Sequence, residues 1–88
     1  MRLQLLNIGF DNAVAAQRIV AVVDADTSPI KRLREAALRQ RKLIDATNGR
    51  RTRAVIITDS DHVVLSSLQP QTVVQRWMEL LAEPTRLS

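Results

Sequence analysis

Apolar residues in this chain come in short blocks separated by turn-forming residues, and the spacing within each block predicts its element. Leu3 to Ile8 is apolar except at Gln4 and Asn7, and Gly9-Phe10-Asp11-Asn12 follows as a turn or bulge, so a first strand is expected here. Ala13 to Gln17 carries no decisive pattern and fits a helical turn or irregular backbone equally. Arg18-Ile19-Val20-Ala21-Val22-Val23 is apolar at both odd and even positions, which predicts a second strand with both faces covered. It ends at Asp24-Ala25-Asp26-Thr27, where the two aspartates read as turn formers and as charge for a following helix N-terminus.

Ser28-Pro29 is a helix start, with Thr27 or Ser28 as cap and Pro29 at the first position, where its missing N–H costs nothing. Projected at helical spacing, residues 29–44 gather Ile30, Leu33, Ala37 and Ile44 on one side, flanked by Ala36 and Leu43. Lys31, Arg32, Arg39 and Lys42 fall opposite, so this helix is amphipathic and cationic. Arg39, Arg41 and Lys42 in its expected last turn also suit the negative end of the dipole. Asn48-Gly49 is a strong turn signal, because both residues tolerate positive φ. Ala54-Val55-Ile56-Ile57-Thr58, the Asp59-Ser60-Asp61 turn and His62 to Leu68 together predict an antiparallel hairpin. Pro70 opens a last helix running to about Ala82, where Glu83-Pro84 stops it, with a wide apolar arc of Val73, Val74, Trp77, Met78, Leu80 and Leu81.

These elements predict an α+β domain over residues 1–82: a small, mostly antiparallel sheet of about four strands with two amphipathic helices. Residues 83–88 are expected to form a flexible tail. Two short helices sharing one face of such a sheet would leave apolar surface bare on the other. That surface, with the arc around Val74, Trp77 and Met78, leads us to expect a closed homo-oligomer.

Composition narrows the chemistry. The 88 residues include no Cys, which excludes disulfides, thiolate metal sites and cysteine catalysis. No apolar run approaches the ~20 residues of a membrane span, and the start lacks the features of a signal peptide, so a cytoplasmic protein is expected. His62 between Asp61 and the following strand reads as turn chemistry rather than a metal ligand or general base. There is no Ser-His-Asp order, no His-Glu-x-x-His and no phosphate-binding glycine loop, and no enzyme activity, cofactor or small-molecule substrate is expected.

The charge, by contrast, points to a partner. The net +4 comes from thirteen basic against nine acidic residues, and nearly all the basic ones are Arg, which makes planar bidentate contacts with phosphate. The densest cluster, Arg50-Arg51-Thr52-Arg53, follows the Asn48-Gly49 turn directly, so several guanidinium groups can share one anionic partner. The competing reading is a solvated basic turn partly paired with Asp45, Asp59 or Asp61. Arg18 would lie near this cluster if the strands pair side by side. Only Phe10 and Trp77 could stack on bases, too few for a single-strand platform, while duplex DNA contacted through its phosphates remains open as a partner. A structural or adaptor oligomer binding an acidic protein, an anionic ligand or a membrane surface is the alternative.

Four ordered blocks carry a resemblance. They are Leu6-Asn7-Ile8-Gly9-Phe10, Ser28-Pro29-Ile30-Lys31-Arg32, then Leu43-Ile44-Asp45-Ala46-Thr47 with Gly49-Arg50-Arg51-Thr52-Arg53-Ala54-Val55, and Asp59-Ser60-Asp61-His62-Val63 followed by Ser66 and Gln69-Pro70. From about Leu3 to Arg76 the chain resembles the RemA family of bacterial extracellular matrix regulators. The resemblance implies a DNA-binding transcriptional regulator, assembled as a ring-shaped homo-oligomer and activating biofilm matrix genes. It assigns DNA contact to Arg50, Arg51 and Arg18, with Lys31 and Arg32 as further contributors, and the adjoining Arg53 extends the cluster. Asp11 stands where many relatives are expected to carry glycine or another small residue.

Overall fold

In the computed structural model, which describes residues 3–82, the chain forms six strands, two α-helices and one 3-10 turn. In order they are β1 (Leu5–Gly9), β2 (Asn12–Ala15), the 3-10 turn (Ala16–Arg18), β3 (Ile19–Asp24), α1 (Ser28–Arg39), β4 (Leu43–Asp45), β5 (Ala54–Thr58), β6 (Val63–Ser66) and α2 (Pro70–Ala82). The α+β class is borne out, with the strands divided between two sheets. β1 and β2 make an antiparallel ribbon, and the other four form a sheet in the order β3-β5-β6-β4, antiparallel except for the β4-β6 pair. The expected tail at 83–88 lies outside the described residues.

The first helix is shorter than its periodicity predicts. It stops at Arg39, and the Arg41 and Lys42 N–H groups donate to the carbonyls of Leu38 (3.2 Å) and Ala37 (2.8 Å). This is the paired closure of a helix end, and it places Arg41 in the left-handed region at φ 59°. Arg41 and Lys42 are therefore beyond the last turn. Leu43, Ile44 and Asp45 instead pair in parallel with Val63, Val64 and Leu65.

The two helices take opposite faces of the four-stranded sheet, which overturns the expectation that one face would be left bare. Ala54, Ile56 and Val64 pack with Leu6, Ile8, Ala16 and Ile19 beneath Val73, Trp77 and Leu80 of α2. Val55, Val63 and Leu65 pack with Ala25 and with Ile30, Leu33 and Ala37 of α1. Alternate residues of the central strands thus serve different cores, and Ala54, Val55 and Ile56 are each 0% exposed. The ribbon supplies the cover that a second helix on the α2 face would have provided. On the edge strand β3, a register shift between Ile19 and Ala21 leaves Val20 exposed while Ile19 stays in the core.

Polar side chains fix the ribbon in place. The buried Ser66 hydroxyl donates to the Ile8 carbonyl (2.9 Å) and accepts the Leu68 N–H (3.1 Å). From α2, the Trp77 indole N–H donates to the Ala16 carbonyl (2.9 Å) and Arg76 Nη1 to the Asn7 carbonyl (3.1 Å). Gln4 Nε2 returns the link, donating to the Leu80 carbonyl at 2.8 Å. At the ribbon's tip, Gly9, Phe10 and Asp11 all have positive φ (103°, 53° and 63°), and Gly9 pairs with Asn12 across the turn. A hairpin turn with both central residues left-handed suits the twist of the strands but favours Gly, Asn or Asp. Asp11 fits that demand. Phe10 does not.

Candidate nucleic-acid interface

The arginine loop is built from Asp45 onward. Asp45 Oδ1 accepts hydrogen bonds from the Thr47 hydroxyl (2.6 Å) and the Thr47 N–H (2.9 Å). These two bonds hold the carboxyl below its ordinary pKa, the hydroxyl bond most strongly; desolvation opposes them and the Arg34 charge assists. Asn48 and Gly49 then take φ 54° and 78°, and the Arg50 N–H donates back to the Thr47 carbonyl at 3.0 Å. The turn predicted at Asn48-Gly49 is therefore present and closed. Arg53 joins the loop to the sheet, its N–H donating to the Ser66 carbonyl (2.9 Å) and its carbonyl accepting the Ala25 N–H (3.2 Å).

Arg50, Arg51 and Arg53 all point to exposed positions at the Ala54 end of β5. Each differs in its surroundings. Arg51 Nη2 lies 3.0 Å from Asp26 Oδ2, an acidic partner the sequence reading did not name, in a pair whose side chains are mostly exposed. The Arg50 guanidinium sits over the Phe10 ring, 5.5 Å from its centroid, bringing the ribbon's tip onto the loop. Asn12 Nδ2 reinforces that junction, within reach of the carbonyls of Gly9 (3.2 Å), Phe10 (3.2 Å) and Ala46 (3.5 Å). Arg53 has no ion-pair partner among the described residues.

Arg18 is not part of this cluster. β3 runs antiparallel to β5 with Ile19 opposite Thr58 and Asp24 opposite Ala54, so Arg18 lies beyond the other end of the sheet. Its carbonyl accepts the Asp59 N–H (2.9 Å) and its Nε donates to Asp59 Oδ1 (3.0 Å). At ~3.3 Å per strand residue, the chain from Arg53 to Asp59 separates the two basic ends by roughly 20 Å. Lys31 and Arg32 are exposed near the start of α1, whose leading residues Ala25 and Asp26 touch the arginine loop.

The residues expected at a subunit contact divide. Trp77 is half-buried against the α2-side core and its indole N–H is used within the chain. Met78 is exposed, and with Val74, Pro70, Gln71, Gln75 and Glu79 it lines a shallow groove on the outer side of α2. In the β5-β6 turn, His62 Nδ1 is 2.7 Å from the Ser60 hydroxyl, which is 3.0 Å from that of Thr58.

Comparison with known proteins decides the family. The profile described as extracellular matrix regulatory protein A-like, or RemA-like, matches residues 5–77. The chain belongs to the RemA-like family. Similar members include a protein of Oceanobacillus iheyensis, 62% identical over 76 residues, 86% of this chain and 88% of the relative. Another, from Thermotoga petrophila, is 52% identical over 83 residues, 94% of this chain and 90% of the relative. A third, from Thermosipho melanesiensis, is 53% identical over 79 residues, 90% and 84% of the two chains. All three are provisionally named regulatory proteins, which gives this RemA-like chain a regulatory role. Among the described residues, no helix is long and apolar enough to cross a membrane.

Proposed function

We propose that the chain is a cytoplasmic, non-enzymatic transcriptional regulator that binds duplex DNA as a homo-oligomer and activates extracellular matrix genes. The observation that carries this reading is the arginine loop. Arg50, Arg51 and Arg53 leave a closed turn at exposed positions, at one end of a sheet whose buried core holds their backbone in place. Such a loop neutralises several neighbouring phosphates and makes affinity strongly salt-dependent. Arg18 is a second point of contact, with Lys31 and Arg32 extending the basic surface beside the loop. At 3.4 Å per base pair, a separation of roughly 20 Å matches about six base pairs along the duplex.

Association into a closed ring repeats these contacts, and each raises the effective concentration of the next. The exposed Met78 beside Val74, and the exposed Val20 and Ile44 on the two edge strands of the sheet, support this association. Trp77 contributes through its partly exposed edge. With few side chains near base edges, specificity comes mainly from DNA bending and contact spacing.

The test is a duplex mobility shift at two salt concentrations, beside an anionic-liposome spin-down. Replacing Arg50 and Arg51 together by Ala abolishes the shift while leaving the sedimentation profile intact. Unchanged DNA affinity in that variant overturns the reading, and capture by liposomes with no DNA shift favours a membrane-surface adaptor instead.

A further inference from the structure

Phe10 sits where its residue type is least suited. It occupies the first central position of a turn at φ 53°, in a left-handed conformation that a bulky side chain adopts at a cost. The residue is 45% exposed, so burial in the core is not what it gains. What lies against the ring is the guanidinium of Arg50, 5.5 Å from its centroid and within the range of a cation–π contact. Strain retained at a surface position, against a group of the site, points to a role at that site.

We propose that Phe10 is a positioning residue for anion binding: its ring is the platform that aims Arg50 at a nucleic-acid phosphate. The proposal rests on the DNA-binding reading above. A guanidinium held at this distance from an aromatic ring makes a cation–π contact that occupies none of its N–H donors in a hydrogen bond, which leaves them for a bidentate contact with phosphate. Without the platform, a long exposed arginine must be ordered from many rotamers each time it binds. The platform is itself anchored. Asn12 ties the turn to the Ala46 carbonyl at the base of the loop, and Ser66 and Trp77 hold the ribbon behind it.

Phe10→Gly removes the platform and the backbone strain together, so its effects on DNA binding and on stability are opposite in sign. The expected result is a melting temperature no lower than that of the native chain, with duplex DNA affinity reduced by about fivefold and more where several subunits bind one duplex. Phe10→Tyr and Phe10→Trp retain affinity, and Phe10→Leu, similarly apolar but without a ring, does not. In an Arg50→Ala background, Phe10→Gly produces little further loss, because both changes remove one function. A full additional loss in that background shows Phe10 acting on DNA independently and overturns the positioning role, as does native affinity in Phe10→Gly or Phe10→Leu. If Arg50→Ala weakens binding and Phe10→Gly does not, this inference fails and the DNA-binding reading stands. If Arg50→Ala leaves DNA binding unchanged, the site assignment itself fails.

Discussion

Asp26 and Arg51 face each other across two loops, Oδ2 to Nη2 at 3.0 Å, so one of the three arginines beside the turn is paired with a carboxylate. The backbone of this acidic loop is set by a neighbour: Asp24 Oδ1 accepts the Asp26 N–H at 2.8 Å. The Asp26 carboxylate is thus available to hold Arg51, and it competes with any phosphate for the same guanidinium.

Replacing Asp26 by Asn should release Arg51 at little structural cost, because an exposed ion pair contributes only about 0–1 kcal/mol to stability. The expected outcome is DNA affinity raised by about two- to threefold at moderate salt, as removal of a fixed negative charge favours phosphate binding. Filter binding over a salt series checks it. Unchanged or weaker binding would mean that the pair serves to orient Arg51 rather than to restrain it.

Arg41→Gly should stabilise the fold. The residue closes α1 at φ 59°, where glycine has no side-chain penalty, and replacing it is expected to add about 0.5–1 kcal/mol. A urea titration gives the answer directly through its midpoint. A lower midpoint would show that the Arg41 side chain makes a contribution exceeding the strain it causes.

That helix end also marks where the sequence stops being legible. The starts of α1 and α2 were readable because Pro29 and Pro70 act locally, and the β5-β6 hairpin because its apolar blocks flank a polar turn. The end of α1 was not. Leu43 and Ile44 continue the helical periodicity by coincidence, being apolar because of their parallel pairing with Val63 and Val64, a contact distant in sequence. β2 was hidden for a similar reason, since Ala13, Val14 and Ala15 have no pattern of their own and take their conformation from pairing with β1. In the candidate site, the exposed arginine loop was visible through Asn48-Gly49, but the separation of Arg18 depended on strand register. The Phe10 contact depended on how the ribbon docks.

Trp77→Phe tests that docking. It keeps most of the aromatic packing but removes the N–H donor to the Ala16 carbonyl, which retains the Ile19 N–H as a partner. A loss of about 1 kcal/mol is expected, of the size of one hydrogen bond. Chemical denaturation measures the loss, and sedimentation run in parallel separates it from subunit contact. A variant of native stability that dissociates would place the indole's main role between subunits.

Asp45 gives the arginine loop a defined pH response. Its carboxyl is held below the ordinary carboxylate pKa by the Thr47 hydroxyl and N–H, so the folded state binds this proton less readily than the unfolded chain does. The stability it contributes is therefore full above the ordinary pKa of about 4 and is lost as pH falls through the lowered folded value. Asp45→Asn keeps an oxygen that can accept both bonds and removes the titration. The native chain should accordingly exceed the variant in stability by a constant margin above about pH 5, and that margin should shrink as the solution is acidified below pH 4. Denaturation midpoints of the two proteins across pH 7 to about pH 2.5 check the sign. A margin that is flat through acid would show that the Asp45 carboxylate contributes nothing as a charge and that the turn is held by Asn48 and Gly49 alone.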